Sequence, residues 1–179
     1  MKNLEKGLKA QVLILLFLFS SGATLYSIDG FYPNIRVSND NGGWYQGMPS
    51  LGISPDADTL YCVFIDFRYG YHDFPGLTLA KSSDGGETWS QNLLIYYGEW
   101  DFEVAPCIAV DSQGWLHVVF GFLSPGGVWY TKSTDGGNSW TFPVMISDTM
   151  NLLKEPISIE VDSNNNLYVM WYYYYAGVS

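Results

Sequence analysis

A nine-residue motif occurs twice in this sequence and constrains its fold more than any other feature. The first copy, KSSDGGETW, covers residues 81–89, and the second, KSTDGGNSW, covers residues 132–140. Their aspartates, Asp84 and Asp135, are 51 residues apart. A motif that recurs at a period of about 50 residues is typical of repeat architectures, in which each repeat is one small structural unit. The chain is therefore expected to contain at least two copies of one unit.

A second pattern recurs together with this motif. Segments 48–68, 105–122 and 155–173 each contain a proline, an alternating strand, a turn rich in Asp, Ser, Asn or Gly, and a strand of β-branched and aromatic residues. Two further short strands, joined by the DGG motif, lie between consecutive segments. Four strands per period predict an all-β fold of four-stranded antiparallel β-propeller blades. The predicted strands are 48–54, 59–66, 76–82, 92–97, 105–110, 115–121, 127–133, 142–147, 155–161 and 166–173.

The DGG motif is expected to form a tight hairpin turn between the third and fourth strands of a blade. Asp84 can accept hydrogen bonds from backbone N–H groups just after it, and Gly85 and Gly86 can adopt the positive φ that other residues resist. Trp89 can fold back over the turn, bury its ring and find a partner for its indole N–H. Asp135 and the residues after it repeat this arrangement.

The pattern S-x-D-G-G-x-[TS]-W, present as Ser82 to Trp89 and as Ser133 to Trp140, resembles the Asp box of the BNR, or sialidase-type, repeat family. The resemblance covers nearly all of the chain from about residue 33 and implies a sialidase-like β-propeller. In that family the Asp box lies at the blade periphery and is structural. The resemblance therefore implies structural roles for Ser82, Asp84, Gly86, Trp89, Ser133, Asp135, Gly137 and Trp140.

Sialidases of this family hold the sugar carboxylate with three arginines, because a guanidinium offers a bidentate match to a carboxylate. This chain has two arginines, Arg36 and Arg68, and lacks the Arg-Ile-Pro motif of the family. By itself it cannot complete a sialidase site. Residues 24–179 are expected to hold one blade's final strand (residues 34–38), two blades and the first two strands of another, whereas propellers close with roughly four to eight blades. We therefore expect an incomplete propeller, truncated at the C-terminus; the alternative is a short chain that completes a ring by oligomerising.

Ligand-binding candidates lie in the loops at the blade ends away from the DGG turns. Aromatic rings beside carboxylates are typical of glycan sites, and paired carboxylates are required for glycoside hydrolysis. The alternative interpretation is ordinary solvated loop residues. The candidates are Trp44, Asp66, Arg68, Trp100, Asp101 and Glu103.

The N-terminus has the pattern of an export signal. Three lysines precede the apolar run 12–19, and Ser21 and Ala23 are small residues suited to a signal peptidase site. The run is shorter than the roughly 20 residues that a transmembrane helix needs. We expect residues 1–23 to be a signal peptide and the mature protein to be secreted, periplasmic or at the cell surface, without membrane contact apart from that signal.

The net charge disfavours one class of partner. The formal net charge is −10, and removal of residues 1–23 would make it −12, which disfavours nucleic acid as a partner.

Cys62 and Cys107 can pair in an exported protein, or they can be two small buried apolar residues. His117 occupies a position that is tyrosine in the other two repeats and is expected to be a ring on a strand.

Two functions from different classes fit these features. The first is an exported, non-catalytic propeller that binds a glycan or a surface protein. The second is the N-terminal part of a sialidase-like glycoside hydrolase, an exo-α-sialidase, whose arginine triad this chain cannot complete. No cofactor and no metal ion is expected, and no catalytic residue can be assigned from spacing.

Overall fold

The computed structural model describes residues 35–41, 43–69, 75–97, 104–122, 126–148 and 154–173. Within these ranges the secondary structure is ten β-strands and one short 3₁₀ helix, Phe67–Tyr69. The strands are β1 (Gln46–Ile53), β2 (Leu60–Asp66), β3 (Gly76–Ser82), β4 (Leu93–Tyr96), β5 (Val104–Val110), β6 (Leu116–Gly121), β7 (Val128–Ser133), β8 (Val144–Met145), β9 (Lys154–Val161) and β10 (Leu167–Tyr173).

The strands form consecutive antiparallel sheets, as the repeat predicted. Blade 1 has the order β1-β2-β3-β4, blade 2 has the order β5-β6-β7-β8, and blade 3 is the pair β9 and β10. All ten predicted strands are present and the all-β fold of propeller blades is confirmed. The eighth strand was predicted at 142–147 and is only Val144–Met145, because Pro143 has no N–H to donate to a neighbouring strand.

Strand register defines two ends of each blade. Leu60 of β2 pairs with Ser82 of β3, so the β1–β2 turn lies beside the DGG turn, at what we call the motif end. Gln46 pairs with Asp66, and Asp66 pairs with Gly76, at the opposite end. The predicted separation of the DGG turns from the loop that follows β2 is therefore present in blade 1.

The core lies between blades. Val63 and Leu79 of blade 1 pack with Ile108 and Phe120 of blade 2, and all four are buried. Between blades 2 and 3, Val119 and Val128 pack with Ile159. Because strands β2 and β6 are covered on both faces, they are buried at almost every position, and their sequences show apolar runs in place of a clean alternation.

Both DGG turns have the geometry that their sequence predicted. Asp84 Oδ1 accepts from the N–H of Thr88 at 2.9 Å and from Ser82 Oγ at 2.7 Å, while Ser82 Oγ itself accepts from the N–H of Gly86 at 2.9 Å. The second turn has the same set of bonds around Asp135. Gly85 and Gly86 have φ of 73° and 92°, so each turn needs two residues in a region that L-residues avoid.

The two tryptophans of the motif differ. Trp89 Nε1 donates to the carbonyl of Gly86 at 3.2 Å, as predicted. Trp140 packs against the core between blades 1 and 2, but its indole nitrogen has no hydrogen-bond partner among the described residues. The prediction of an indole partner is therefore correct for the first turn and is not met for the second.

Cys62 and Cys107 are both free thiols. Cys62 is fully buried between apolar side chains, and burial raises its pKa to about 12. The structure therefore agrees with the interpretation as a small buried side chain for Cys62, whereas Cys107 is only partly buried. No helix in the described ranges is long and apolar enough to cross a membrane.

Candidate ligand-binding site

Three of the six predicted ligand-binding residues can be located. Trp44 precedes β1, Asp66 ends β2 and Arg68 follows it in the short 3₁₀ helix, so all three lie at the opposite end of blade 1. Trp100, Asp101 and Glu103 fall outside the described residues.

Asp66 and Arg68 form a partly buried ion pair at this end. Arg68 Nη2 lies 2.6 Å from Asp66 Oδ2, and Arg68 Nε donates to both carboxylate oxygens at 3.0 and 2.9 Å. The carboxylate of Asp66 is completely inaccessible, whereas the Arg68 side chain is 20% exposed. Hydrogen bonding to Asp66 raises the pKa of Arg68 above its ordinary value. Asp66 thus holds the guanidinium in one orientation at the surface.

Further polar residues extend this pair into a network. Gln46 Nε2 bridges two carboxylates, Asp40 Oδ2 at 3.1 Å and Asp66 Oδ1 at 3.4 Å. Arg36 Nε donates to Ser38 Oγ at 3.1 Å, and Arg36 Nη2 lies 3.7 Å from Asp40 Oδ2. We call this set the arginine cluster: Arg36, Ser38, Asn39, Asp40, Gln46, Asp66, Arg68 and Asn92.

Both arginines of the chain belong to the arginine cluster. Each is matched by a carboxylate, Arg36 by Asp40 and Arg68 by Asp66, and the two carboxylates are buried. The cluster therefore has no formal net charge. Its exposed residues are Arg36, whose side chain is 57% exposed, and Asn39. Two of the five N–H groups of Arg68 have no partner among the described residues.

Two exposed aromatic residues directly precede Gln46 of the arginine cluster in the chain. Trp44 is 60% exposed and Tyr45 is 48% exposed. The ring of Tyr45 packs edge-on against Phe67, with 5.5 Å between the centroids. It also lies over Gly47, where an added Cβ would be 2.7 Å from Tyr45 Cζ, so a larger residue at position 47 would require the Tyr45 ring to move.

A β-bulge lies just after this aromatic segment. The register of β1 against β2 shifts between Gly47 and Ser50, and Met48 within it has φ of 54°. Bulges bend a strand and redirect its side chains, and they are common beside functional sites. Here β1 is paired with β2 on both sides of the bulge, through Gln46 and Gly47 before it and through residues 50–53 after it.

Arg36, Asp40 and Gln46 belong to this site but are not among the ligand-binding residues predicted from the sequence. A signal was present, because Arg36, Ser38 and Asp40 are polar at every second position, which places them on one side of an extended segment. Val37, the apolar residue between them, is buried against Cys62 and Phe64 of blade 1. The pattern alone does not show that this segment packs against blade 1. It therefore could not predict that Arg36 lies at the same end of the blade as Arg68.

A second polar cluster lies at the motif end of blade 2. His117 is buried; its Nε2 lies 3.2 Å from Asp111 Oδ2, and its Nδ1 lies 2.8 Å from the hydroxyl of Tyr130. Burial of Asp111 opposes its ionisation, but the N–H of Trp115 and the ring of His117 still hold its pKa below the ordinary value. In blade 3 the equivalent Tyr168 hydroxyl donates to Asp162 at 3.3 Å. His117 is therefore a ring on a strand, as predicted, that links the β5–β6 turn to β7.

The comparisons with known proteins give distant similarities. No model of a known protein family matches the chain. The chain is 25% identical over 136 residues to a xyloglucanase of Hypocrea jecorina strain QM6a, covering 74% of this chain and 16% of that protein. It is 24% identical over 130 residues to a sialidase of Clostridium perfringens, covering 67% of this chain and 34% of that protein. The chain thus spans no more than 34% of the length of these curated relatives.

Solved structures share the fold. A protein of unknown function from Dyadobacter fermentans DSM 18053 is similar to this chain with a TM-score of 0.53 and 17% identity, covering 73% of this chain and 47% of that one. Together with the strand order, these similarities indicate a β-sheet fold of the sialidase and glycosidase type, with at least two complete blades.

Proposed function

We propose that this chain is the glycan-binding, non-catalytic part of an exported carbohydrate-associated protein, and that the arginine cluster with Trp44 and Tyr45 is its binding surface. The observation that carries the proposal is that two exposed aromatic residues directly precede Gln46 in the chain, at the same end of blade 1 as the oriented, charge-balanced guanidinium groups.

The chemistry of the surface suits a sugar. An aromatic face can cover the apolar face of a pyranose ring, while N–H groups donate to its hydroxyls. The bonds that hold Arg68, to Asp66 on one side and from Nη1 to Asn39 Oδ1 at 2.8 Å on the other, preorganise its remaining donors. A preorganised donor loses less conformational entropy when a ligand binds.

Charge balance favours a neutral glycan over an acidic one. Each guanidinium already faces a buried carboxylate, so little positive potential remains to attract a sugar acid. The formal net charge of −10 also repels an anionic ligand at long range. The names of the two curated relatives, a xyloglucanase and a sialidase, cover one neutral and one acidic class of glycan.

The second candidate function is a part of a sialidase-like glycoside hydrolase. The similarity to the sialidase of Clostridium perfringens favours it. Glycoside hydrolysis needs two carboxyl groups that face the scissile bond, roughly 5 to 10 Å apart. Within the described ranges, the carboxylates of the arginine cluster, Asp40 and Asp66, are buried and hydrogen-bonded to other members of the cluster. Binding without catalysis is therefore the function that we propose first.

Isothermal titration of the purified chain with a xyloglucan oligosaccharide and with sialyllactose tests the proposal. We expect the neutral oligosaccharide to bind and Trp44→Ala to weaken it by roughly tenfold, equivalent to about 1.4 kcal/mol of lost stacking. The matched control is Phe142→Ala, which removes a ring that is 79% exposed and outside the arginine cluster.

Three results would contradict the proposal. Equal loss of binding in Trp44→Ala and Phe142→Ala would place the surface elsewhere. Preference for sialyllactose would contradict the neutral class. Release of reducing sugar from either compound by the chain alone would contradict a non-catalytic role and favour the hydrolase.

A further inference from the structure

A groove lies at the motif end of the chain, between the two DGG turns. It has a volume of about 560 Å³ and lies where blade 1 meets blade 2. Blade 1 lines it with the start of β2, the end of β3 and the first DGG turn, and blade 2 lines it with the second DGG turn. Both of these blades have all four strands. The lining residues on which its chemistry depends are Thr59, Tyr61, Lys81, Ser83, Trp89 and Asp135.

One position differs between the two blades and leaves this groove open. Thr59 and Trp115 are equivalent, because each directly precedes the leucine that pairs with the serine of its DGG motif. In blade 2 the ring of Trp115 covers the motif lysine, and Lys132 Nζ lies 4.8 Å from the ring centroid. In blade 1 the smaller Thr59 leaves the corresponding space beside Lys81 unfilled.

Lys81 connects the two walls of the groove. Its Nζ donates to the carbonyl oxygen of Gly136 at 3.0 Å and lies 3.5 Å from Asn138 Oδ1. Both acceptors are neutral, and an ammonium group has three N–H donors. At least one N–H of Lys81 therefore has no partner among the described residues, while the two contacts restrict the position of the ammonium group.

The groove also offers hydrogen-bond acceptors and aromatic rings. Asp135 Oδ2 accepts one bond, from Ser139 Oγ, and a carboxylate oxygen can accept a second. Ser83 is exposed and adds a hydroxyl group. Tyr61 and the partly buried Trp89 contribute parts of their rings to the lining. Donors, acceptors and rings are thus within one cleft.

We propose that this groove is a second binding site, for one ring of a neutral saccharide. Clefts of roughly 300 to 1,000 Å³ that combine rings with a few placed polar groups are typical of small-ligand sites. Lys81 and Asp135 are the charged residues of the lining, so its formal charge is zero and a neutral ligand fits it best. A pyranose can place its apolar face against the rings, accept from Lys81 and donate to Asp135.

The groove is at the motif end of blade 1 and the arginine cluster is at the opposite end, so the two sites can be tested separately. Heteronuclear NMR of the isotope-labelled full chain, read at the indole N–H signals, follows each of them. Trp89→Phe identifies the signal of Trp89. A xyloglucan oligosaccharide and lactose are the neutral probes, and sialyllactose is the acidic one. We expect a neutral probe to shift the Trp89 signal saturably, with a Kd in the millimolar range.

A substitution copied from blade 2 tests the position of the ligand. Thr59→Trp should weaken the binding that shifts Trp89 by roughly tenfold or more, because the new ring fills the space beside Lys81. Thr59→Val, which keeps the size of the side chain, is the matched control and should change the Kd by less than about twofold. Circular dichroism and thermal denaturation check that each variant is folded. If Thr59→Trp does not fold, Lys81→Met serves in its place, because it removes the donor and should weaken binding several-fold.

The outcomes separate this site from the arginine cluster. Trp44→Ala should leave the shift of Trp89 unchanged. If neither neutral probe shifts the Trp89 signal, the groove is not a saccharide site, even where binding that depends on Trp44 persists. An undiminished shift in folded Thr59→Trp, or a stronger response to sialyllactose than to the neutral probes, would also overturn the proposal. A Trp89 shift without any binding that depends on Trp44 would support the groove and contradict only the surface at the arginine cluster.

Discussion

Gly137, in the second DGG turn, packs so closely against the side chain of Leu79 in β3 that an added Cβ would overlap Leu79 Cδ2. The carbonyl oxygen of the preceding residue, Gly136, accepts a hydrogen bond from Lys81 Nζ of blade 1 at 3.0 Å. The DGG turn of blade 2 is therefore docked on blade 1. The motif closes its own hairpin and also forms part of the contact between repeats.

Gly137→Ala should lower the free energy of unfolding by about 2 to 4 kcal/mol. The positive φ of 88° is strained for alanine, and the new methyl group must displace buried Leu79. Gly136→Ala is the matched control, because it has φ of 68° and open space around its Cα; it should cost about 1 to 2 kcal/mol. Urea denaturation measures both. Equal costs would show that Leu79 does not determine the choice of glycine.

Asp84 should make the chain sensitive to acid. Its bonds from the Thr88 hydroxyl, the Thr88 N–H and Ser82 lower its pKa to about 2 from 3.8. A folded-state pKa below the unfolded value means that stability is fully present above about pH 4 and is lost as the pH falls through about 2. Asp84→Asn cannot titrate, so its stability should fall less steeply over this window in urea denaturation at a series of pH values. Parallel curves for the native chain and the variant would argue against this role.

Asp66 and Arg68 should behave as one energetic unit. Asp66→Ala or Arg68→Ala alone should cost about 3 kcal/mol, because each leaves its partner buried or half-buried without a counter-charge. The double variant should cost clearly less than the sum of the two. Thermal or urea denaturation of the three variants tests this. A double variant whose cost equals the sum would mean that the two side chains stabilise the fold independently.

Replacing His117 should destabilise the fold, because His117 is hydrogen-bonded to both Asp111 and Tyr130. His117→Leu leaves the buried carboxylate of Asp111 and the hydroxyl of Tyr130 with one hydrogen bond fewer each, and should cost about 2 kcal/mol. Adding Tyr130→Phe to this variant removes one of the two unsatisfied groups. The second change should therefore cost less in the His117→Leu background than in the native chain, where it breaks an intact bond. Denaturation of the two single variants and the double variant measures the difference.

The sequence predicted only some of the residues of the arginine cluster. The loops at the opposite end were identified, and Trp44, Asp66 and Arg68 do lie there. Asp66 is a ligand-binding candidate from the sequence, whereas its carboxylate is buried and bonded to Arg68, Gln46 and Asn92. Whether a ligand also depends on Asp66 stays a prediction. Burial of a polar side chain at the end of a strand depends on the residues that pack over it. At the end of β2 these include the segment of residues 35–41, which does not pair with β2.

The sequence by itself determined the strands, their order and the two DGG turns, because these depend on interactions over a few residues: alternation of apolar side chains, glycines at positive φ, and an aspartate that bonds N–H groups of its own turn. Only the tertiary structure decided which polar residues meet and which apolar faces are covered. Arg36 reaches Asp40 and, through Gln46, the pair of Asp66 and Arg68, because the chain folds back over blade 1. Leu51 and Met170 are apolar like Ile108 and Val119, the buried residues at the same positions of blade 2, but both are exposed, because burial depends on what packs against a position and not on the residue itself.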